Sequence, residues 1–218
     1  IPIDTLMHHY MFCIALGALV FESKIEVAPR HIMIEAIKMY KELVDLTPSF
    51  CLEMNPIKIY ECMTQTDDII YSPFNYGYSN YSKKNYADQV LKAGALVTFN
   101  GKRLRSTLGG AGIAVSSKTK YAEIAMNYSQ FTASEKTQSG LYFEFGGQPG
   151  HRKSWLNDEV NNQCKNFFKD TLQTLDEATM RPQYYGYMHF QDEASPIIHE
   201  AVSGKIAVET AVDKMNTI

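Results

Sequence analysis

Side chains that could carry out acid–base or metal chemistry are present in this chain, but their spacing suits neither task. Asp67 and Asp68 are neighbours, so on a strand they point to opposite faces and cannot act as a carboxylate pair across a cleft. His8 and His9 are also adjacent, which separates them by about 100° on a helix, and no HExxH motif occurs. No serine lies in a GxSxG pattern. We therefore predict no catalytic residue, no metal site and no cofactor.

The glycine-rich segment Gly109–Gly112 is the next feature that could bind a ligand. It precedes a predicted strand instead of joining a strand to a helix, and no GKS or GKT follows it, so it does not fit a phosphate-binding loop. Glycines without a side chain let the backbone turn sharply and approach a neighbour closely. Two interpretations stay open, since the neighbour is either another segment of the chain or a ligand, and Gly110 is a candidate contact in the second.

Aromatic and amide side chains crowd into three polar segments, which is unusual for loops. The first, residues 74–86, holds Phe74 and four tyrosines among asparagines. The others are residues 183–187, which contain Tyr184, Tyr185 and Tyr187, and residues 145–152, which end in His151 and Arg152. Flat rings pack on the C–H face of sugars and amides bond their hydroxyls, so these clusters predict a carbohydrate site. The alternative is that the tyrosines cover helix ends.

Composition limits the possible partners and the compartment. The chain is 45% hydrophobic with a formal net charge of −3, which is enough for a packed core and leaves no basic surface for nucleic acid. The apolar run from Thr5 to Phe21 is too short and too polar for a membrane span. The four cysteines are too scattered for a zinc motif or a disulfide framework, and we expect them to be buried thiols. They do not indicate a compartment.

Helical periodicity dominates the chain. Five or six helices are predicted, and the second begins near Pro29 with an apolar stripe. A shorter helix follows the cap pair Asn55-Pro56, with Ile57 facing inward. The stretch 121–131 predicts a helix with Tyr121, Ile124, Ala125, Tyr128 and Phe131 on one face. Thr132 and Glu135 fit a capping box that opens a helix running to about Phe145. Two C-terminal helices are predicted, the first ending at Gly204.

Single strands are predicted between these helices. They are the apolar runs 68–72 and 95–99, with a turn at Asn100-Gly101, and the segment 108–115. Helices interleaved with single strands predict an α/β fold with a mixed sheet.

The same segments resemble the family 1 extracellular solute-binding proteins of ABC importers, which include the maltose-binding proteins. Asp68–Tyr71 with the following Pro73–Tyr76 is similar to a strand and loop whose aromatic residue faces the sugar in that family. Leu108–Ser116 resembles the hinge strand of the family, and Tyr128–Gly140 resembles its F…SPE.Q region. Gly146–Pro149 is similar to a loop in which the family commonly has glycine, a small residue and proline. The terminal helices resemble the C-terminal helices of the family in their order.

This resemblance implies a lobe of the periplasmic-binding-protein type II fold, a mixed sheet flanked by helices, in a fragment of a two-lobe hinge protein. Residues 1–106 would belong to the second, C-terminal lobe. Residues 107–150 would cross the hinge and pack on the first lobe, and residues 151–218 would return to the second lobe. Most of the first lobe would then lie outside this chain.

The function implied by the resemblance is capture of a sugar or oligosaccharide between two lobes and its delivery to the permease subunits of an ABC importer. Such a protein acts outside the cytoplasm, in the periplasm or as a cell-surface lipoprotein, and does no chemistry on its solute. The expected ligand contacts are Asn75, Tyr76, Tyr78, Gly110, Gln148, Tyr184 and Tyr185. Phe74 and Tyr187 are weaker candidates, and His151 and Arg152 fit a helix start equally well.

Two alternatives remain open on the sequence alone. The first keeps the fold and changes the solute to an amino acid, a polyamine or an anion, although an anion would favour arginines that the clusters lack apart from Arg152 and Arg181. The second is a glycan-processing enzyme, for which Glu144 and Asp192 are the only carboxylates near the aromatic clusters.

Overall fold

A computed structural model describes residues 1–23 and 26–218. In these residues the chain forms eleven α-helices and two strands, together with 3₁₀ helices at Ser49–Glu53 and Ser79–Ser82. The helices are α1 (Pro2–Ala15), α2 (Arg30–Asp45), α3 (Pro56–Gln65), α4 (Ala122–Ala133), α5 (Glu135–Ser139), α6 (Leu141–Glu144), α7 (Arg152–Leu156), α8 (Asp158–Gln163), α9 (Phe167–Asp176), α10 (Tyr187–Val202) and α11 (Val208–Met215). The strands are β1 (Thr98–Phe99) and β2 (Lys102–Arg103), which pair antiparallel.

The chain divides into two compact units, each built from separate segments. Unit 1 comprises residues 1–59, 96–108 and 177–218, and unit 2 comprises residues 60–95 and 109–176. The assignment of residues 1–106, 107–150 and 151–218 to lobes of a two-lobe protein stays a prediction.

Unit 1 is a helical assembly whose core lies between α1, α2, α10 and α11. Helix α1 packs on α2 and α10, and α11 packs on the same two helices. Leu6, Ile37, Ile198 and Val212 are fully buried at these contacts. The apolar face of α11 at Ala211, Val212 and Met215 is buried as its spacing predicts. In the residues that are described, no helix has the length and apolar character needed to cross a membrane.

Helix boundaries in unit 1 follow the predicted signals. Helix α2 begins directly after Pro29, and α3 begins at Pro56 with the Asn55 Oδ1 accepting the backbone N–H of Lys58 at 2.9 Å. Gly204, two residues after the end of α10, has a φ of +77°, a conformation that L-residues avoid. The predicted inward position of Ile57 is wrong, because its side chain is 40% exposed and Ile59 is buried instead.

The core of unit 2 is aromatic. Phe143, Trp155, Phe167 and Phe168 are buried together with Val160 and Cys164. The ring of Phe168 meets those of Trp155 and Phe143 edge to face, with centroids 5.1 and 6.0 Å apart. The indole N–H of Trp155 donates to the carbonyl oxygen of Pro149 at 2.7 Å, which satisfies the buried donor and fixes the loop before α7.

The predicted mixed sheet is not formed within residues 1–23 and 26–218. Of the predicted strands, residues 68–72 and 108–115 have no strand assignment, and residues 95–99 supply only the two residues of β1. A parallel bridge joins Thr107 to Thr179. A strand needs a neighbouring strand for its backbone hydrogen bonds, and an apolar pattern does not report whether one is present. Accordingly Ile69 is buried while Ile70 is 85% exposed.

Two predictions about the helices of unit 2 are also wrong in detail. Ser134, not Thr132, caps α5 by accepting the N–H of Thr137, and the helical stretch breaks at Gly140 into α5 and α6. The predicted face of α4 lies in solvent, with Ile124 69% and Tyr128 64% exposed. Periodicity therefore predicted this helix correctly, and no residue of α4 is buried within the described chain.

Three histidines lie inside unit 1. His9 is fully buried, with its Nε2 3.6 Å from the Cys13 Sγ, and its Nδ1 has no partner in the described part of the chain. The Nδ1 atoms of His8 and His199 contact the hydroxyl groups of Tyr40 (2.8 Å) and Thr5 (3.0 Å). Burial lowers the pKa of His9 to about 4.

Charged neighbours modify the titration of the other two histidines. Burial and the positive N-terminus lower the pKa of His8 to about 4. The pKa of His199 is also lowered, first by burial and then by the N-terminus and Lys205, against the opposing effect of Glu53 and Glu200. All three imidazoles are therefore neutral in the folded protein at neutral pH.

We expect unit 1 to lose stability on acidification, from pH 6.5 down to about pH 4. The unfolded chain takes up protons on these histidines below their ordinary pKa of about 6.5, whereas the folded chain resists protonation down to about pH 4. The free energy of unfolding should decrease from pH 7 to pH 5 in both the wild type and His9→Leu. The decrease should be smaller in His9→Leu by roughly 2 kcal/mol. Urea denaturation at a series of pH values measures this.

The matched control is His31→Gln, because His31 is exposed on α2. This variant should show the pH dependence of the wild type. Identical pH dependence of His9→Leu and the wild type would contradict the prediction.

Candidate functional site

Four of the predicted ligand contacts come together in unit 2. Asn75, Tyr76 and Tyr78 lie on the segment 74–80, which we call the aromatic loop, and Gln148 contacts it from the segment that follows α6. The Gln148 Oε1 accepts the backbone N–H of Ser79 at 2.8 Å, and its Nε2 donates to the carbonyl oxygen of Gly77 at 3.1 Å. The first and third predicted clusters are therefore adjacent.

The glycine-rich segment contacts the same loop. A Cβ placed on Gly109 would lie 3.0 Å from the Cε1 of Tyr76, so the backbone at Gly109 is close to this ring. At Gly110 nothing lies within 4 Å of such a Cβ. The close approach that the glycines suggested thus involves a chain segment at Gly109, and Gly110 is left open to solvent and to a ligand.

Polar atoms of the aromatic loop lack partners. Across the described residues, the Asn75 Nδ2, the Ser79 Oγ and the Asn80 Oδ1 are buried without a hydrogen bond. Buried polar atoms are usually paired, and the described side-chain atoms of unit 2 that are buried without a partner all lie in this loop. Ser79 and Asn80 were not singled out from the sequence. The signal available there was only that they lie in the tyrosine- and asparagine-rich segment.

Tyrosines behind the loop have a structural role. The Tyr60 hydroxyl donates to the carbonyl oxygen of Tyr76 at 3.0 Å, and burial raises the pKa of Tyr60, which keeps this hydroxyl a donor. The ring of Tyr60 lies 5.0 Å from that of Tyr81 and 6.2 Å from that of Tyr78. Tyr60, a residue of α3 outside the three predicted clusters, therefore supports the loop, whereas Tyr78 is 41% exposed.

The predicted contacts of the second cluster belong to unit 1. Tyr184 is 49% exposed and Tyr185 is entirely exposed, just before the N-terminus of α10. Tyr187 is buried against Phe21 and Phe190, with ring centroids 5.6 and 6.4 Å away, and is a core residue of unit 1. It is therefore not available as the weaker ligand contact that the sequence suggested.

His151 and Arg152 act as helix-start residues. The His151 Nδ1 accepts the backbone N–H of Lys153 at the start of α7, and Arg152 forms a two-point ion pair with Asp176. This ion pair lowers the pKa of the Asp176 carboxyl through the guanidinium hydrogen bonds. Of the two interpretations of this pair of residues, the structural one fits the contacts.

The side chains of the aromatic loop can form hydrogen bonds and aromatic packing contacts. Its unpaired polar atoms belong to amides and a hydroxyl, which are uncharged. Glu144 lies in unit 2 and Asp192 in unit 1, both exposed. Where the structure describes the chain, no three His, Cys, Asp or Glu side chains are grouped to hold a metal ion. The arrangement suits a neutral, hydroxyl-rich molecule.

Solved structures of similar fold include three solute- or sugar-binding proteins. They are maltose-bound MalE3 of T. maritima (TM-score 0.77, 19% identity), an ABC transporter solute binding protein from Thermotoga lettingae TMO bound with alpha-D-tagatose (0.74, 17%), and the maltose-maltodextrin binding protein of the thermoacidophilic bacterium Alicyclobacillus acidocaldarius (0.68, 16%). In the same order, the matches cover 98, 99 and 99% of this chain and 55, 56 and 60% of the chain in the solved structure. No protein-family model matches the sequence.

The chain thus spans little more than half the length of the solved structures that it matches. Identities of 16–19% support a statement about fold, and the likeness extends over nearly all of the chain. The resemblance drawn from the sequence motifs is confirmed at that level: this chain has the fold of the corresponding part of ABC-transporter solute-binding proteins.

Proposed function

We propose that this chain is part of the solute-binding component of an ABC importer, and that its solute is a sugar or oligosaccharide. The observation that carries the proposal is the aromatic loop of unit 2, placed in a fold shared with sugar-bound proteins. Tyr76 and Tyr78 supply aromatic rings, and Asn75, Ser79 and Asn80 of the same loop hold buried polar atoms without a hydrogen-bond partner among the described residues. Rings and neutral polar groups together match a saccharide better than a charged solute.

The proposed contacts in unit 2 are Asn75, Tyr76, Tyr78 and Gly110, together with Gln148. Tyr184 and Tyr185 are proposed separately, as ligand contacts of unit 1. In this proposal the solute is bound without chemical change and delivered to permease subunits in the membrane, and the protein works outside the cytoplasm. Two lobes would close around the solute, and aromatic stacking and hydrogen bonds would supply the binding energy.

The exposed face of α4 supports the proposed division into lobes. Ile124, Tyr128 and Phe131 are 69, 64 and 54% exposed, and no residue of α4 is buried. In a soluble protein a helix keeps an apolar stripe when the stripe is covered. We propose that residues 107–150 cross the hinge and that this face of α4 packs on a first lobe. That lobe would correspond to the part of the solved structures that this chain does not match. The predicted mixed sheet of the type II fold would be completed by strands from the same source.

We expect Ile124→Lys to destabilise a longer polypeptide that includes the first lobe, by about 2 kcal/mol, because it would bury a charge and lose apolar contact. In the 218-residue chain the same change should alter the free energy of unfolding by less than about 0.5 kcal/mol, since the side chain is exposed. Leu46→Lys, at an exposed leucine after α2, is the control and should be neutral in both. Equal effects of Ile124→Lys in the two proteins would contradict this domain assignment.

A thermal-shift screen tests the function directly. The panel contains mono- and oligosaccharides, with maltose and tagatose among them, together with amino acids and polyamines. A ligand that binds only the folded protein raises the melting temperature, and we expect a saccharide to do so without being converted. A shift from a charged solute and none from any saccharide would overturn the proposed substrate class while leaving the fold in place.

Tyr76→Ala should weaken binding of the saccharide found in that screen by roughly 1–3 kcal/mol, because it removes an aromatic face from the site. Titration calorimetry measures the dissociation constant. Tyr76→Phe keeps the ring and is the matched control, with an affinity expected close to that of the wild type. An unchanged dissociation constant for Tyr76→Ala would remove Tyr76 from the site.

A further inference from the structure

The amide of Gln148 binds the aromatic loop at two points that flank Tyr78. It accepts from the N–H of Ser79 and donates to the carbonyl oxygen of Gly77, at 2.8 and 3.1 Å. A residue in a parallel β-ladder bonds its neighbouring strand in the same way, with its C=O accepting from residue i+2 and its N–H donating to residue i. The side chain of Gln148 therefore takes the place of a neighbouring strand for this loop.

Other contacts hold the loop against the same segment and against the core. The Asn80 Nδ2 donates to the carbonyl oxygen of Gly146 at 2.9 Å, and the Lys83 Nζ donates to that of Phe143 at 2.7 Å. A Cβ on Gly77 would lie only 2.7 Å from the Cζ of Phe167, which is a core residue. The loop is thus packed on a buried ring and tied by side-chain hydrogen bonds.

The backbone that carries Gln148 is itself tightly fixed. A Cβ on Gly147 would lie 2.5 Å from ring atoms of Tyr142 and 2.6 Å from its carbonyl oxygen, so only glycine fits there. On the other side of Gln148, the carbonyl oxygen of Pro149 accepts the indole N–H of Trp155. The N–H of Gly150 donates to the Gln138 Oε1 at 2.7 Å. The Gln148 amide can therefore hold the loop against a rigid support.

We propose that Gln148 is a positioning residue, which holds Tyr76 and Tyr78 in the geometry that binds the solute before the solute arrives. This inference rests on the proposed function and changes the role of Gln148 from ligand contact to support. A loop already ordered in its bound geometry loses less conformational freedom on binding, which raises affinity. Because one amide group makes both bonds, the role requires a donor and an acceptor on the same side chain.

Gln148→Met tests the support without reference to any solute. Methionine has a similar length but lacks both the amide oxygen and the amide N–H, so the N–H of Ser79 loses its acceptor and the carbonyl oxygen of Gly77 loses its donor. In the ligand-free protein we expect hydrogen exchange of the Ser79 amide to accelerate about tenfold or more. The amide of Val160, bonded to the Asn157 Oδ1 in the same unit, should not change. Gln163→Met, at an exposed glutamine that bonds only within α8, is the matched control and should leave Ser79 unaffected.

Gln148→Glu distinguishes positioning from simple packing through its pH dependence. An ionised glutamate can accept from Ser79 but places a carboxylate oxygen against the carbonyl oxygen of Gly77, so affinity for the saccharide from the panel should fall about tenfold at pH 7.5. A protonated glutamate can donate again. The affinity of this variant, relative to the wild type at the same pH, should therefore recover as the pH is lowered toward 4.5, whereas that of Gln148→Met should not.

The outcomes separate this inference from the proposed function. Unchanged exchange at Ser79 in Gln148→Met would overturn the support role. Faster exchange with unchanged affinity in both variants, or a loss in Gln148→Glu that is independent of pH, would overturn its importance for binding. If the wild type binds no saccharide of the panel while Ser79 exchanges faster in Gln148→Met, the proposed substrate class fails and the support of the loop stands.

Discussion

The aromatic loop of unit 2 depends on one constraint: its backbone groups need hydrogen-bond partners although the loop does not lie in a sheet. Unpaired backbone groups away from water are strongly unfavourable. Here side chains meet that need, because Gln148 bonds the backbone at Gly77 and Ser79, and the Tyr60 hydroxyl bonds the carbonyl oxygen of Tyr76. The conformation of the loop is therefore set by a few side chains that lie far from it in sequence.

The aromatic core of unit 2 makes this arrangement possible. Phe167 packs on Gly77, and Phe143 lies beneath the Lys83 Nζ, 3.7 Å from the centre of its ring. Both rings are buried in the core and give the loop a rigid base. Side chains form hydrogen bonds with the backbone of the loop, while the ring of Tyr78 stays partly exposed. Several polar side-chain atoms of the loop have no hydrogen-bond partner among the described residues. Structural support and availability for a ligand thus come from the same contacts.

The sequence predicted correctly those features of the fold that interactions between residues close in sequence determine. The caps at Pro29 and Asn55 and the apolar face of α11 were predicted correctly, because short-range hydrogen bonds and helical spacing determine them. The predicted strands at residues 68–72 and 108–115 were wrong within the described chain. Those features depend on partner surfaces, and apolar spacing alone cannot reveal whether a partner lies within the same chain.

The candidate site shows the same division. Composition was enough to indicate residues 74–80, since rings and amides crowd there, but it could not separate the exposed Tyr78 from Tyr60, which supports the loop from behind. Nor could composition show that the Gln148 amide bonds the backbone of the loop. Its partners, Ser79 and Gly77, lie 69 and 71 positions before it in the sequence. At 16–19% identity a fold can persist while its ligand changes. Under the proposed function, solute specificity would depend on side chains such as Asn75 and Tyr76 and on the contacts that hold them, so the chemistry of this loop would be a better guide to the solute than the fold that carries it.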